Sequence, residues 1–367
     1  ANAPDESQLA AVFGLAPAIA GAVHARVVEK LGREAVEDYR IDFEDGYGHR
    51  PDAEEDAHAA SAADEVAKGH AAASLPPFLG IRTKAFTTAE HARAVRTLER
   101  FLTALTERTL GQLPAGFVVT LPKVQHPEQV AALASVLELL EDKLALARGA
   151  IPIELMIEQP TAIFGPDGDI ALPALVRAAK GRCRGVHFGT YDYTASCGIA
   201  SAYQTMDHPA CEHAKSVMQV ALAGTGVWLS DGATNVLPVG KDPGVVHDAW
   251  KLHASNVRHS LVTGFYQGWD LHPAQLVARY AAVYAFFLAG LPRATERLRH
   301  FVDEAARATR AAQVFDDAAT GQGLLVFFLR GLACGALRED DLRATGLTKD
   351  ELASRSFARI VTARRPA

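Results

Sequence analysis

The sequence predicts an α/β protein, a TIM (β/α)8 barrel followed by a C-terminal helical cap, and three observations predict it. Between residues 39 and 268, short β-rich runs alternate with amphipathic stretches of helical length, the pattern of a parallel βα architecture. Several runs, such as Phe117-Val118-Val119 and Ile151-Pro152-Ile153-Glu154-Leu155-Met156-Ile157, carry few polar residues, as strands do when helices cover them. The 367 residues also suffice for one barrel with an appendage.

Taken in order, residues 9–31 read as helical. Strands follow at 39–43, 78–82, 117–121, 151–157, 185–188, 227–230 and 261–266, seven in all and one short of a full barrel. The chain starts without Met, so the missing first strand is expected to be either cryptic or lost with part of the N-terminus. Helix starts carry their own punctuation. Thr87-Thr88-Ala89-Glu90 offers a capping box, and His126-Pro127-Glu128 and Asp242-Pro243 place proline in a first helical turn. Residues 52–73 form an Ala-rich helix whose Glu54-Glu55-Asp56 run suits the helix dipole and reads as a solvated face. After the last strand, 273–288 reads as one helix and 292–363 as three more, which divides the chain into a barrel domain, 1–290, and a helical cap, 291–367.

Composition narrows the function classes. A net charge of -6 and a pI near 6.2 speak against a nucleic-acid surface, which needs a concentrated excess of Lys and Arg. No run of 18 or more apolar residues occurs, so no membrane partner is expected. The cysteines, Cys183, Cys197, Cys211 and Cys334, fit neither a metal knuckle nor a disulfide framework. They read as free thiols of a cytoplasmic protein.

In a β/α barrel the chemistry sits at the C-terminal ends of the strands. That rule selects Glu44 and Asp45 after the first recognisable strand, then Arg82, Lys123, Glu158 and Asp192 after later ones. An acid at the end of an apolar strand is unfavourable unless a cation or donor neutralises it. Oxygen ligands from Glu158 and Asp192, completed by water and substrate, suit magnesium or manganese, and no His or Cys set suits zinc. Such a metal would hold a 2-oxo acid and stabilise its enolate, with the Arg82 guanidinium on the same oxygen. The alternative for Arg82 is an ion pair with Glu44 or Asp45. Lys123 could in principle form a Schiff base, but neighbouring acids would keep its amine protonated. His49 is either a base or a loop residue, His187 reads as a satisfied core residue, and His272-Pro273 as the opening of the final barrel helix.

At these residues the chain resembles the HpcH/HpaI aldolase and citrate lyase beta-subunit superfamily, which includes malyl-CoA lyase and malate synthase relatives. The resemblance runs from about Asp42 to Gln275. It rests on Asp42-Phe43-Glu44-Asp45, Ile81-Arg82, Leu121-Pro122-Lys123-Val124, Ile157-Glu158, Phe188-Gly189-Thr190-Tyr191-Asp192 and His272-Pro273-Ala274-Gln275, in that order. It implies a barrel of the phosphoenolpyruvate/pyruvate type, Mg2+ (or Mn2+) on Glu158 and Asp192, and Arg82 at the enolate oxygen; Glu44 and Asp45, from their place at a strand end, read as catalytic residues beside Arg82 that position water or support the ligands. It further implies a small 2-oxo or hydroxy acid substrate, a trimer or hexamer, and a C-terminal helical segment that brings in a catalytic acid. Asp316 and Asp317 are candidates for that acid, or else cap a helix. The expected activity is that of a metal-dependent carbon–carbon lyase. A CoA-dependent condensation or cleavage is a second reading, weakened by long insertions and by the absence of a CoA-handling signature, and a catalytically silent binding barrel is a third.

Overall fold

The computed structural model describes residue 3, residues 5–307 and residues 314–364; the side chains of 303–307, 314–318 and 349 are outside the description, and with them the candidate acids Asp316 and Asp317. Helices α1 (Glu6–Phe13) and α2 (Pro17–Arg33) precede strand β1 (Asp38–Asp42), and α3 (Asp52–Ala71) leads to β2 (Phe78–Arg82). The alternation continues through α4 (His91–Arg108), β3 (Phe117–Leu121), α5 (Pro127–Lys143), β4 (Ile153–Ile157), α6 (Leu172–Ala178) and β5 (Cys183–Phe188). Then come α7 (Thr190–Ser196), α8 (Pro209–Leu222), β6 (Trp228–Ala233), α9 (Pro243–Val262) and β7 (Gly268–Trp269). The remainder is helical: α10 (Leu276–Arg307), α11 (Val314–Ala333), α12 (Glu339–Leu342), α13 (Lys349–Ala353) and α14 (Phe357–Arg364).

The chain forms two compact units. One, Glu34–Asn235 with Gly264–Leu271, holds all seven strands; the other, made of Ala1–Arg33, Val236–Thr263 and His272–Ala367, is helical where it is described. The strands pair in parallel, each with its neighbour in sequence, in the order β1 to β7. Among the described residues there is no eighth strand and no pairing of β7 with β1, so the described sheet is a seven-stranded parallel half-barrel.

Side-chain alternation explains the sheet's two faces. On β4, Ile153, Leu155 and Ile157 join a core that also takes Leu79, Ile81, Val119, Leu121 and Phe188 from other strands and Leu98, Phe101, Leu133 and Leu172 from helices. Arg40, Arg82, Thr120, Glu154, Glu158 and His187 alternate with those apolar positions and occupy the opposite face. That face is concave, because Arg40 of β1 reaches Glu154 of β4 at 2.6 Å and Arg82 of β2 lies 5.5 Å from the ring of Trp269 on β7. Gly80 lets Arg40 cross: a Cβ there would stand 2.7 Å from the Val118 carbonyl oxygen and 2.9 Å from Arg40 Cδ.

Three expectations are corrected. Residues 261–266 are not a strand, since α9 runs on to Val262 and β7 is Gly268–Trp269. The helical spacing of the buried Val246, Ala249, Trp250, His253, Val257 and Leu261 outweighs the extended look of Leu261-Val262. Pro292 does not separate two helices but lies inside α10, where the loss of one backbone donor is offset by burial of Tyr284, Phe287, Leu288, Ala294 and Leu298. Within this helical segment Pro273–Val302 is long and apolar enough to cross a bilayer, and 44% of its most apolar window is buried inside the protein. Glu55 is 0% exposed rather than solvated: Thr97 donates to it, and Lys84 stands 3.0 Å away. The starts of α5 and α9 agree with expectation, with Asp242 accepting from Gly244 N at 2.8 Å.

Candidate functional site

The C-terminal ends of β1 to β5 bring Glu44, Asp45, Arg82, Lys123, Glu158 and Asp192 onto one rim. Arg82 is fixed by a residue that sequence reasoning assigned no role. Its Nε and Nη2 each donate to Asp42 at 2.7 Å, and its Nη1 lies 3.5 Å from Glu44 Oε2. Asp42 also accepts from the backbone of Glu44 at 3.0 Å and Gly46 at 2.9 Å, so it shapes the turn that carries the next two acids. Burial would raise its carboxyl, but Arg82 and these donors lower it below the ordinary carboxylate range.

Lys123 is the second residue whose role was missed. Its Nζ donates to Glu44 and, at 2.7 Å, to Asp45, and stands 3.8 Å from Asp192. Its backbone N–H donates to Glu158 Oε1 at 2.6 Å. Burial works to lower the amine, and its bonds to Asp45 and Glu44 raise it well above the usual lysine range, so it stays charged. A Schiff-base role, which needs a neutral amine, has no support here.

Glu158 is 2% exposed, and among the described residues no hydrogen bond reaches its second oxygen, Oε2. Burial and the charge of Asp192 push its carboxyl up to about 7, only partly countered by the Lys123 N–H. Asp192 is raised as well, by burial and by Asp45, against the pull of Lys123. Gly189 makes room for this arrangement: a Cβ there would lie 2.5 Å from both Cβ and Oε2 of Glu158. Five carboxylates, Asp42 included, face two cations, an excess of three negative charges when all are ionised.

Four residues before Glu158 and on the same face, Glu154 accepts from Arg40 at 2.6 and 3.0 Å, from Thr120 at 3.2 Å and from His187 Nε2 at 2.9 Å. Trp269 Nε1–H donates to His187 Nδ1 at 3.0 Å, so the ring bridges Trp269 and Glu154. His187 is thus the satisfied core residue expected. His49 is exposed in the loop after β1, and His272 accepts from Ala274 N at 3.1 Å as it opens the turn into α10. The four cysteines are free thiols.

No set of three or more His, Cys, Asp or Glu side chains is arranged to hold a metal among the described residues. What the rim offers is a pair of mutually repelling carboxylates, Glu158 and Asp192, one with an uncommitted oxygen. That donor set fits a hard cation that keeps most of its shell as water and substrate, as magnesium does.

The topology defines a class: a parallel α/β fold shared with solved lyase and synthase structures. A citrate lyase from Burkholderia xenovorans LB400 superposes with a TM-score of 0.62 at 21% identity, covering 89% of this chain and 93% of that one. Malate synthase of Haloferax volcanii in its magnesium/glyoxylate complex gives 0.52 at 16% identity over 72% of this chain and 70% of the other. Its lead(II) complex gives 0.51 at 15% identity over 95% of each. At these identities the likeness establishes the fold. The chain belongs to the family described as Domain of unknown function (DUF6986), whose model matches residues 1–360. Among curated proteins no match was found.

Proposed function

We propose that the protein is a magnesium- or manganese-dependent carbon–carbon lyase that cleaves or forms a small hydroxy or 2-oxo acid through its enolate. The observation that carries this reading is the charge imbalance of the rim. Carboxylates outnumber cations on this rim and would repel an anionic substrate, and a cation shared by Glu158 and Asp192 would relieve both that repulsion and their own. When bound, such a cation supplies Lewis acidity toward the substrate's carboxylate and 2-oxo oxygens.

The chain's own residues do the rest. Arg82 commits Nε and Nη2 to Asp42, which leaves Nη1 to donate to the oxygen that becomes negative in the enolate. Because Asp42 holds the guanidinium before substrate arrives, little reorganisation is needed as charge develops. Glu44 and Asp45, tied together by Lys123, flank that position and can orient water or the leaving fragment. The barrel domain 1–290, the helical cap 291–367, trimeric or hexameric assembly and a cytoplasmic location belong to the same reading.

The test is release of pyruvate or glyoxylate from a panel of hydroxy acids with and without magnesium. Full cleavage retained in Glu158→Ala or in EDTA would falsify the reading. The malate synthase likeness favours, second, a condensation or cleavage of CoA thioesters, and a titration in which no CoA thioester binds removes it. A silent binding barrel, the third reading, predicts no thermal shift with metal or oxo acid.

A further inference from the structure

We propose that Lys123 is a tethered counter-ion that competes with the divalent cation for the rim carboxylates and thereby sets how tightly the site takes metal. This rests on the reading above that Glu158 and Asp192 hold that cation. One residue touches all four rim acids: Glu158 through its backbone N–H at 2.6 Å, and Glu44, Asp45 and Asp192 through its ammonium. The other rim cation cannot respond in this way, because two hydrogen bonds of 2.7 Å lock Arg82 to Asp42. A lysine is a point charge on a flexible stem and can swing.

The backbone supports the same conclusion. Lys123 has φ +50°, a left-handed conformation that glycine adopts freely and that is unfavourable for a residue with a side chain. A glycine at 123 would keep the N–H to Glu158 and relieve the strain, but it would carry no charge. Strain of this kind, held beside a site, points to a use for the side chain.

The contacts also show which way the ammonium would move. It is close to Glu44 and Asp45 and looser at Asp192, 3.8 Å away. A divalent cation on Glu158 and Asp192 would repel it, and its retreat lies toward Asp45, which is exposed. Without metal, Lys123 offsets part of the repulsion among the acids; with metal its contact to Asp192 is given up, and the repulsion between ammonium and cation is subtracted from metal affinity.

Mn2+ alone, titrated into the full chain and followed by the paramagnetic resonance of the free ion, tests this without any turnover. Lys123→Gln is expected to bind Mn2+ roughly ten-fold tighter than the wild type or more, because the competing charge is gone. Lys123→Arg, which keeps the charge, should stay close to wild type, and Lys123→Met serves where Gln disturbs the fold. Binding by Lys123→Gln and Lys123→Met that is unchanged or weaker overturns the proposal while leaving the metal reading intact. Loss of Mn2+ binding in Glu158→Gln and Asp192→Asn locates the ion where the proposal needs it; no uptake by the wild type or the Lys123 variants overturns both.

Discussion

Glu154 on β4 and Glu158 just past its end are two pleat repeats apart, share a face and are buried to nearly the same degree, 3% and 2% exposed, yet they are opposites. Burial raises both carboxyls. At Glu154, His187 and Arg40 outweigh it and hold the group at about 2; at Glu158 the charge of Asp192 adds to it and the group rises to about 7. Burial alone therefore does not decide what a carboxylate is for. Partners do: a paired acid belongs to the scaffold, and an acid buried beside another acid is poised to take a cation or a proton.

The contrast predicts mutations of opposite sign. Glu154→Ala leaves the buried Arg40 guanidinium with only the partly exposed Asp38 as a carboxylate partner and should cost about 3–5 kcal/mol, the largest effect, read from urea denaturation. In the wild type the Glu154 contribution is fully present above pH 4.5 and fades as pH falls toward about 2, so an acid titration of stability should show it, flattened in Glu154→Gln. Glu158→Gln should instead stabilise the metal-free protein. Its folded-state group binds a proton up to about pH 7 whereas the unfolded one releases it near 4.5, so wild-type stability falls as pH rises through that window. The gain in Glu158→Gln should be on the order of 3 kcal/mol at pH 8, vanish at pH 4, and coincide with loss of turnover.

Magnesium should close the gap between the two acids. At 100 times its dissociation constant it is expected to stabilise the wild type by about 2.7 kcal/mol, more at pH 8 than at pH 5.5, where Glu158 still carries its proton. Equal thermal shifts at the two pH values would argue that Glu158 is not a ligand. The smallest effect is expected from Thr120→Val, which removes one 3.2 Å bond to Glu154 while leaving Arg40 and His187 in place, at about 1 kcal/mol.

Much of this was legible from sequence, for definite reasons. The strands at 78–82 and 117–121 coincide with β2 and β3, because prolines bound them and helices cover them, so that a short apolar run is unambiguous. The rule that barrel chemistry sits at strand ends led to Arg82, Glu158 and Asp192, which the structure does bring together. Asp42 and Lys123 were visible in the same motifs, but the grip of Asp42 on Arg82 depends on the register of β1 against β2, and that of Lys123 on the turn after β3 meeting the one after β1, which no spacing reveals. The Glu154 layer left a readable trace. In Ile153-Glu154-Leu155-Met156-Ile157-Glu158, apolar residues that join the core alternate with residues that face the concave side, a period of two hidden in a run that looks uniformly buried. The seventh strand was misplaced because two aliphatic residues at the end of α9 were weighed above the helical period that precedes them.

The sequential strand order has a consequence for biosynthesis. Each strand can pair with its predecessor as the chain leaves the ribosome, so contacts in the sheet form locally and early. Arg40 breaks that order, because its partner Glu154 lies 114 residues downstream. At about 5–20 residues per second the guanidinium waits roughly 6–23 s for Glu154, with Asp38 as its one local carboxylate and a growing apolar sheet beside it. The nascent chain is therefore most exposed to misfolding and chaperone capture after β1 to β3 have emerged and before β4 arrives.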